Sequence, residues 1–248
     1  PHLVWPRVDG ETGRGLSPRG PAAVTAGSSP TTILALADAV SPFIYSTGFP
    51  GNLPPFDVIL AAGDLPGDLL EFVATKSSVP PVYVLGNHGD GFIRDPDTDE
   101  LRLPGGCINA HLRIVEVNGV VILGVEGSAR YREGEQQYSE REYARMLARL
   151  SPRLWWSERK RGRAVDVLLT HAPPLGPNAG PDFPHRGVPA FNAFHRRWRP
   201  LVHVHGHVHL SGSTAARSYI SDEGVKVVNA YEFTLFGLPR DGASGSGG

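Results

Sequence analysis

Short apolar runs that each close on a polar or glycine-bearing turn set the pattern of this chain. They are TTILALAD (31–38), DVILAAGD (57–64), PVYVLGNH (81–88), AVDVLLTH (164–171) and PLVHVHGH (200–207). Continuous runs of this length, rich in Val, Leu and Ile, suit strands buried on both faces, as in a parallel sheet covered on each side. Each run ends in a side chain able to bind a metal. In a layered α/β protein such strand ends feed loops along one edge, so ligands far apart in sequence are expected to meet in space.

Two further segments carry local signals. LRIVEV and VVILGV flank Asn118-Gly119, and this dipeptide predicts a hairpin, because a type I′ turn needs positive φ at both central positions. SEREYARMLARL (139–150) opens with Ser139 and Glu142 in capping-box spacing and repeats Tyr143, Met146, Leu147 and Leu150 on one face, which predicts a core-packed helix. The following RLWWSERKRGR (153–163) mixes aromatic and basic residues. A helix with Trp155 or Trp156 buried and a charged C-terminal end accounts for it without a partner.

Residues 1–30 are rich in Gly, Pro, Ser and Arg with little apolar periodicity and read as an arm. Residues 241–248 read as a flexible tail. The expectation is one domain over 31–240, since 248 residues at 40% hydrophobic content suffice for a large single core.

Charge narrows the partners. With 24 basic and 25 acidic residues, no global field recruits a nucleic-acid lattice or an acidic membrane, and a small substrate is expected. Cys107 stands alone, which excludes an intrachain disulfide and any cysteine-based zinc or iron–sulfur site. No window approaches the length of a transmembrane helix, and a cytoplasmic location is expected. Neither GxxxxGK nor a strand followed by GxGxxG occurs, which counts against nucleotide binding through a phosphate-cradling loop.

The strand-end residues Asp38, Asp64, Asn87, His171, His207 and His209 combine carboxylate, amide and imidazole donors. Such a mixed set suits one or two divalent transition metals, Mn, Fe, Zn, Co or Ni, with Mn favoured. A carboxylate shared between two cations offsets their repulsion, and Asp64 is the candidate for it. In VHVHGHVHL (202–210), His203 and His205 precede Gly206 within the strand, where hydrogen-bonded packing is expected rather than ligation.

In order along the chain, Asp38, Gly63-Asp64, Gly86-Asn87-His88, Thr170-His171-Ala172 and Gly206-His207-Val208-His209 resemble the motifs of the calcineurin-like metallophosphoesterases. The likeness covers about residues 31 to 235. It implies a four-layer α/β/β/α sandwich and hydrolysis of phosphate esters by a metal-bound hydroxide, with His88 assisting the leaving group. It also implies one metal on Asp38, Asp64 and His209 and another on Asp64, Asn87, His171 and His207. The run THAPPLG (170–176), with the histidine-bearing loop after it, is similar to the family's phosphodiesterase-like members.

Two positions depart from the pattern. Where the family carries Asp-x-His, this chain has Asp38-Ala39-Val40, which leaves the first metal site a ligand short. Where an acid follows Asn-His, Gly89 intervenes before Asp90. AlaAspAlaValSerPro (37–42), Gly63-Asp64-Leu65-Pro66 and the 125–131 run ending in Arg130-Tyr131 are similar to a little-characterised prokaryotic branch that also lacks the first-motif histidine. His185, in PDFPHRG (181–187), is a candidate for the missing ligand or for substrate, and Arg130 and Arg186 are candidates for phosphate. His111 and His195 read as structural or exposed. Val40 and Gly89 motivate an alternative, a non-catalytic metal-binding scaffold that recognises a phosphorylated ligand or a protein partner.

Overall fold

Short Val-, Leu- and Ile-rich runs that bury every residue suit strands with cover on both faces, and the computed structural model builds two such sheets from them. It describes residues 30–179, 186–210 and 216–238. The arm proposed for 1–30, apart from Pro30, the tail at 241–248 and His185 lie outside the described residues.

In chain order the elements are β1 (Thr32–Ala37), β2 (Val58–Ala61), α1 (Gly67–Lys76), β3 (Pro81–Tyr83), β4 (Ile93–Arg94), β5 (Leu101–Arg102), β6 (Ile108–Asn109), β7 (Ile114–Val117) and β8 (Val120–Val125). They continue with β9 (Ser128–Ala129), β10 (Gln137–Tyr138), α2 (Glu140–Arg161), β11 (Val167–Thr170), α3 (Pro189–Trp198), β12 (Val202–His205), β13 (Ser218–Ile220), β14 (Lys226–Asn229) and β15 (Glu232–Gly237). The first sheet runs β15-β1-β2-β3-β6, and the second runs β13-β14-β12-β11-β8-β7. Within them β1, β2, β3 and β6 are parallel, as are β8, β11, β12 and β14; β15, β13 and β7 pair antiparallel.

The layers follow from strand alternation. Along β8, β11 and β12, Ile122, Val167, Leu169, Val202 and Val204 face the core shared with the first sheet. Val121, Leu123, Val125 and Leu168 face the other way, onto Tyr143, Leu147, Leu154, Phe191 and Phe194 of α2 and α3. Helix α1 joins the first sheet's core through Leu69, Leu70 and Val73. The result is the four-layer α/β/β/α sandwich, in which helical crossovers carry β2 to β3, β8 to β11 and β11 to β12.

Three local expectations meet the structure differently. The Asn118-Gly119 hairpin forms between β7 and β8, with φ of 48° and 79° at the two positions. The capping box at Ser139 forms, but α2 continues past Leu150 and through Pro152 to Arg161. A proline removes one helical hydrogen bond, yet Leu150 and Leu154 are buried on either side of it and hold both turns against the sheet. The burial of a tryptophan in α2 is corrected: Trp155 is 48% exposed and Trp156 66%, because Leu154 takes the inward position.

Candidate metal centre

Parallel strands in register end together, so the loops after β1, β2 and β3 in one sheet and β11 and β12 in the other gather at a single edge. Glycines let these loops close on one another. A Cβ on Gly86 would lie inside the Asp64 carboxylate, and one on Gly206 would come within 2.7 Å of Ala37 Cβ and 2.8 Å of Asp38 Oδ2. Asp38, Asp64 and His207 themselves sit at φ of 64°, 50° and 67°. Non-glycine residues rarely take that left-handed conformation, and it persists where surrounding structure compels it, often at functional sites.

His171, fully buried at the end of β11, is the hub. Its Nδ1 lies 2.8 Å from the Ala62 carbonyl, which can only accept, so Nδ1 carries hydrogen. In the neutral ring Nε2 therefore presents its lone pair. Around that atom stand Asn87 Oδ1 at 3.0 Å, Asp64 Oδ2 at 3.1 Å and His207 Nδ1 at 3.1 Å. Burial opposes charge on His171, but the Asp64 carboxylate outweighs it and the ring takes up a proton more readily than an ordinary histidine. Burial likewise pushes the Asp64 carboxyl up, while the hydrogen bond and charge of His171, with the His88 backbone N–H, hold it down to about 2.

Converging electron-pair donors of this kind suit a cation. Ions of this class lie about 2.0–2.2 Å from nitrogen and oxygen ligands, which sets neighbouring donor atoms roughly 3.0–3.5 Å apart. The spacings around His171 Nε2 fall in that range, and the Asp64, His171 and His207 donors all lie within 4.8 Å of one another. The donor set of Asp64, Asn87, His171 and His207 fits a divalent transition metal.

The other candidates are placed as follows. Both Asp38 oxygens accept from the His207 backbone N–H, at 2.9 and 3.0 Å, so Asp38 ties the β1 loop to the β12 loop. Burial pushes its carboxyl up, opposed by the charge of His171 and the His207 hydrogen bond. His209 is exposed, with its ring 4.8 Å from that of Tyr231. Val40, where the family's histidine would stand, is 43% exposed.

His88 is exposed; its N–H donates to Asp64 Oδ1 at 3.0 Å and its Nε2 lies 3.7 Å from Asp64 Oδ2. Asp90 instead engages through its carbonyl, which accepts from Gly67 N. Arg130 donates to both Glu142 oxygens at 3.1 and 2.9 Å. His203 and His205 lie on the far face of β12, fully buried: His203 bridges Thr170 Oγ1 at 2.8 Å and His195 Nε2 at 2.9 Å, and His205 Nδ1 meets the Gly206 carbonyl at 2.9 Å.

Sequence reading passes over two neighbours of the site. Tyr131 accepts a hydrogen bond at 3.2 Å from Asn87 Nδ2, which turns Asn87 Oδ1 towards His171. Arg132 lines a cavity of about 310 Å³ together with Asn87, His88, Gln136 and Gln137, and with two carboxylates, Glu133 and Glu135. Tyr131 closes the 125–131 run noted in the sequence, but nothing there assigned it or Arg132 a part in the site.

The calcineurin-like phosphoesterase family model matches residues 32–211. Among solved structures, TT1561 of Thermus thermophilus is similar at 16% identity with a TM-score of 0.52, over 85% of this chain and 100% of that one. The phosphopantetheinyl hydrolase of Mycobacterium tuberculosis is similar at 17% identity with a TM-score of 0.46, over 82% of this chain and 89% of that one. No curated protein sequence matches the chain. The family match runs from β1 through the His207-Val208-His209 turn and takes in every candidate ligand placed above, so the chain belongs to the calcineurin-like phosphoesterases, which hydrolyse phosphate esters with the help of divalent metals.

Proposed function

We propose that this chain is a metal-dependent phosphodiesterase in which Asp64, Asn87, His171 and His207 hold one divalent metal tightly. Asp38, Asp64 and His209 hold a second more weakly, with Val40 contributing no ligand. The observation that carries this reading is the set of three donors at 3.0–3.1 Å from His171 Nε2, an atom whose lone pair is fixed by the Ala62 carbonyl. Manganese is favoured because oxygen donors share the site with imidazole; iron, zinc, cobalt and nickel suit the same donors. The chemistry supplied by a divalent cation held by these residues would be polarisation of a phosphoryl oxygen and a lowering of the pKa of water towards about 7.

The chain's own groups do the rest. His88 stands at the solvent side of Asp64, and its ring delivers a proton to the departing oxygen. Asp64, through the backbone of His88 and the facing ring, takes the orienting part that Gly89 and Asp90 do not fill. The cavity beside Asn87 and His88 accommodates an organic leaving group, and Arg132 at its wall offers a guanidinium to phosphate. Room on that side favours diesters, whose phosphorus carries a second organic group. Arg130 is held by Glu142 and has no part in this reading.

Calorimetric titration of the metal-stripped protein with Mn²⁺, paired with hydrolysis of an aryl phosphodiester and the matching monoester, tests it. One tight and one weak site are expected, with faster diester turnover, and His207→Ala abolishes the tight site and turnover together. Two equally tight sites would contradict the assignment of ligands. The scaffold reading is motivated by exposed Val40 and by the His209 ring lying against Tyr231. Tight Mn²⁺ binding with no turnover of either ester would favour it.

A further inference from the structure

Several arginines elsewhere on the surface are matched to carboxylates: Arg94 to Asp99 at 2.9 Å, Arg196 to Glu223 at 3.1 Å and Arg197 to Glu158 at 3.5 Å. Helix α2 differs. It carries seven basic and three acidic residues, a net charge of +4 in a chain whose net charge is −1. Arg141, Arg145, Arg149 and Arg153 recur every fourth residue, all exposed, over a rise of about 18 Å. Among the described residues neither these four nor Lys160 has an ion-pair partner.

The same outward side carries Trp155 and Trp156, 48% and 66% exposed, with Arg159 5.0 Å above the Trp155 ring. The inward stripe of Tyr143, Met146, Leu147, Leu150 and Leu154 already satisfies the core. Like charges spaced by four residues repel along a helix, so neither packing nor helix stability accounts for the outer face. Beside it a groove of about 400 Å³ runs between α2 and α3, lined by Ala144, Leu147, Ala148, Ala193, Phe194 and Trp198 and also by Glu140, Ser151 and Arg196.

We propose that the outer face of α2 docks the protein on an anionic phospholipid surface. The arginine row and Lys160 meet headgroup phosphates, Trp155 and Trp156 enter the headgroup layer, and the groove receives an acyl segment. Guanidinium groups match phosphate, and indoles favour the membrane–water interface. Single-stranded nucleic acid fits less well. It is held in basic channels with aromatic platforms, whereas this face is the outward side of the outermost layer and its groove is lined largely by alanines, a leucine and buried rings.

The full-length protein, mixed with vesicles of phosphatidylcholine alone or with phosphatidylglycerol added, provides the test by sedimentation and tryptophan emission. Binding to the anionic vesicles only, with a blue shift and loss at high salt, is expected. Each cation contributes about fivefold, so the triple variant Arg141→Gln, Arg145→Gln, Arg149→Gln weakens binding about a hundredfold and leaves aryl-ester turnover unchanged. Trp155→Ala with Trp156→Ala removes the blue shift. Equal binding to both vesicles, or no binding by wild-type protein of native circular dichroism, overturns the proposal. So does a single-stranded oligonucleotide that binds the wild type in preference to the anionic vesicles.

Discussion

At the scale of single residues, the site depends on atoms that do not themselves donate to a metal. Tyr131 holds Asn87 Nδ2 and thereby aims Oδ1. Groups of this kind are typically worth 10–100-fold in metal affinity, so Tyr131→Phe is expected to weaken Mn²⁺ binding by about that factor in calorimetry while leaving the melting temperature of the metal-free protein nearly unchanged. Equal affinity in the variant would mean that Asn87 is oriented by its backbone alone. Gly86 acts through space: the Cβ of Gly86→Ala would collide with the Asp64 carboxylate. Expected are the loss of the tight site and a destabilisation of about 1–3 kcal/mol by urea titration, the usual cost of forcing volume into a packed region. The identities of Asp64, Asn87, His171 and His207 as candidate ligands were legible from residue type and order. Tyr131 was not, because a hydroxyl that meets an amide 44 positions away leaves no local trace.

At the scale of elements, α2 shows both the reach and the limit of periodicity. Its start is written in Ser139 and Glu142, and both reciprocal capping bonds form. Its length is not, since Pro152 removes a helical hydrogen bond and only the burial of Leu150 and Leu154 against the sheet carries the helix through it. The two sides of this helix are therefore expected to respond differently. Leu154→Ala costs about 2–5 kcal/mol, whereas Trp156→Ala changes stability by no more than about 0.5 kcal/mol; denaturant midpoints of the two variants decide this. A large loss in Trp156→Ala would mean that the indole packs inward in solution. Helix α3 has an equally plain signature, Pro189 at its first turn and Phe191, Phe194, His195 and Trp198 on its buried side, yet its strength lies in what it covers. His195 and Phe191 meet His203 on β12, which makes the histidines of that strand buried and polar together.

At the scale of the whole molecule, that arrangement links stability to pH. Burial depresses the pKa of His195 from 6.5 to about 4, offset in part by Glu223, and burial does the same to His111. The folded protein keeps both neutral while the unfolded chain takes up protons near pH 6.5, so stability is full above that pH and falls as pH drops from about 6.5 towards 4. Each histidine can forfeit about 3 kcal/mol over that window as an upper bound. Urea titrations at pH 7 and pH 5 in the presence of a chelator, which removes metal–proton competition, read the slope. His195→Gln is expected to flatten it, and an unchanged slope would mean that the protonated ring is accommodated, with Glu223 4.0 Å from Nδ1 as its partner.

The sequence by itself determined the five apolar strands and the candidate ligands at their ends, because buried parallel strands need unbroken apolar runs and metal ligands need particular atoms. It determined the hairpin at Asn118-Gly119 as well, since few residues tolerate that backbone. The division of VHVHGHVHL into packing histidines, His203 and His205, and candidate ligands after Gly206 was legible too. Alternation along β12 separates two buried faces rather than core from solvent, with the valines on one and His203 against Thr170 and His195 on the other. Only the tertiary structure decided that His207 reaches His171 while the His209 ring lies against Tyr231. The same holds for Arg130, which the sequence offers to phosphate and the fold gives to Glu142. It holds too for the tryptophans of α2, whose exposure follows from the turn at which Leu154 meets the sheet. Each of these depends on where one element's face lies against another, and that relation is a property of packing between segments rather than of any one of them.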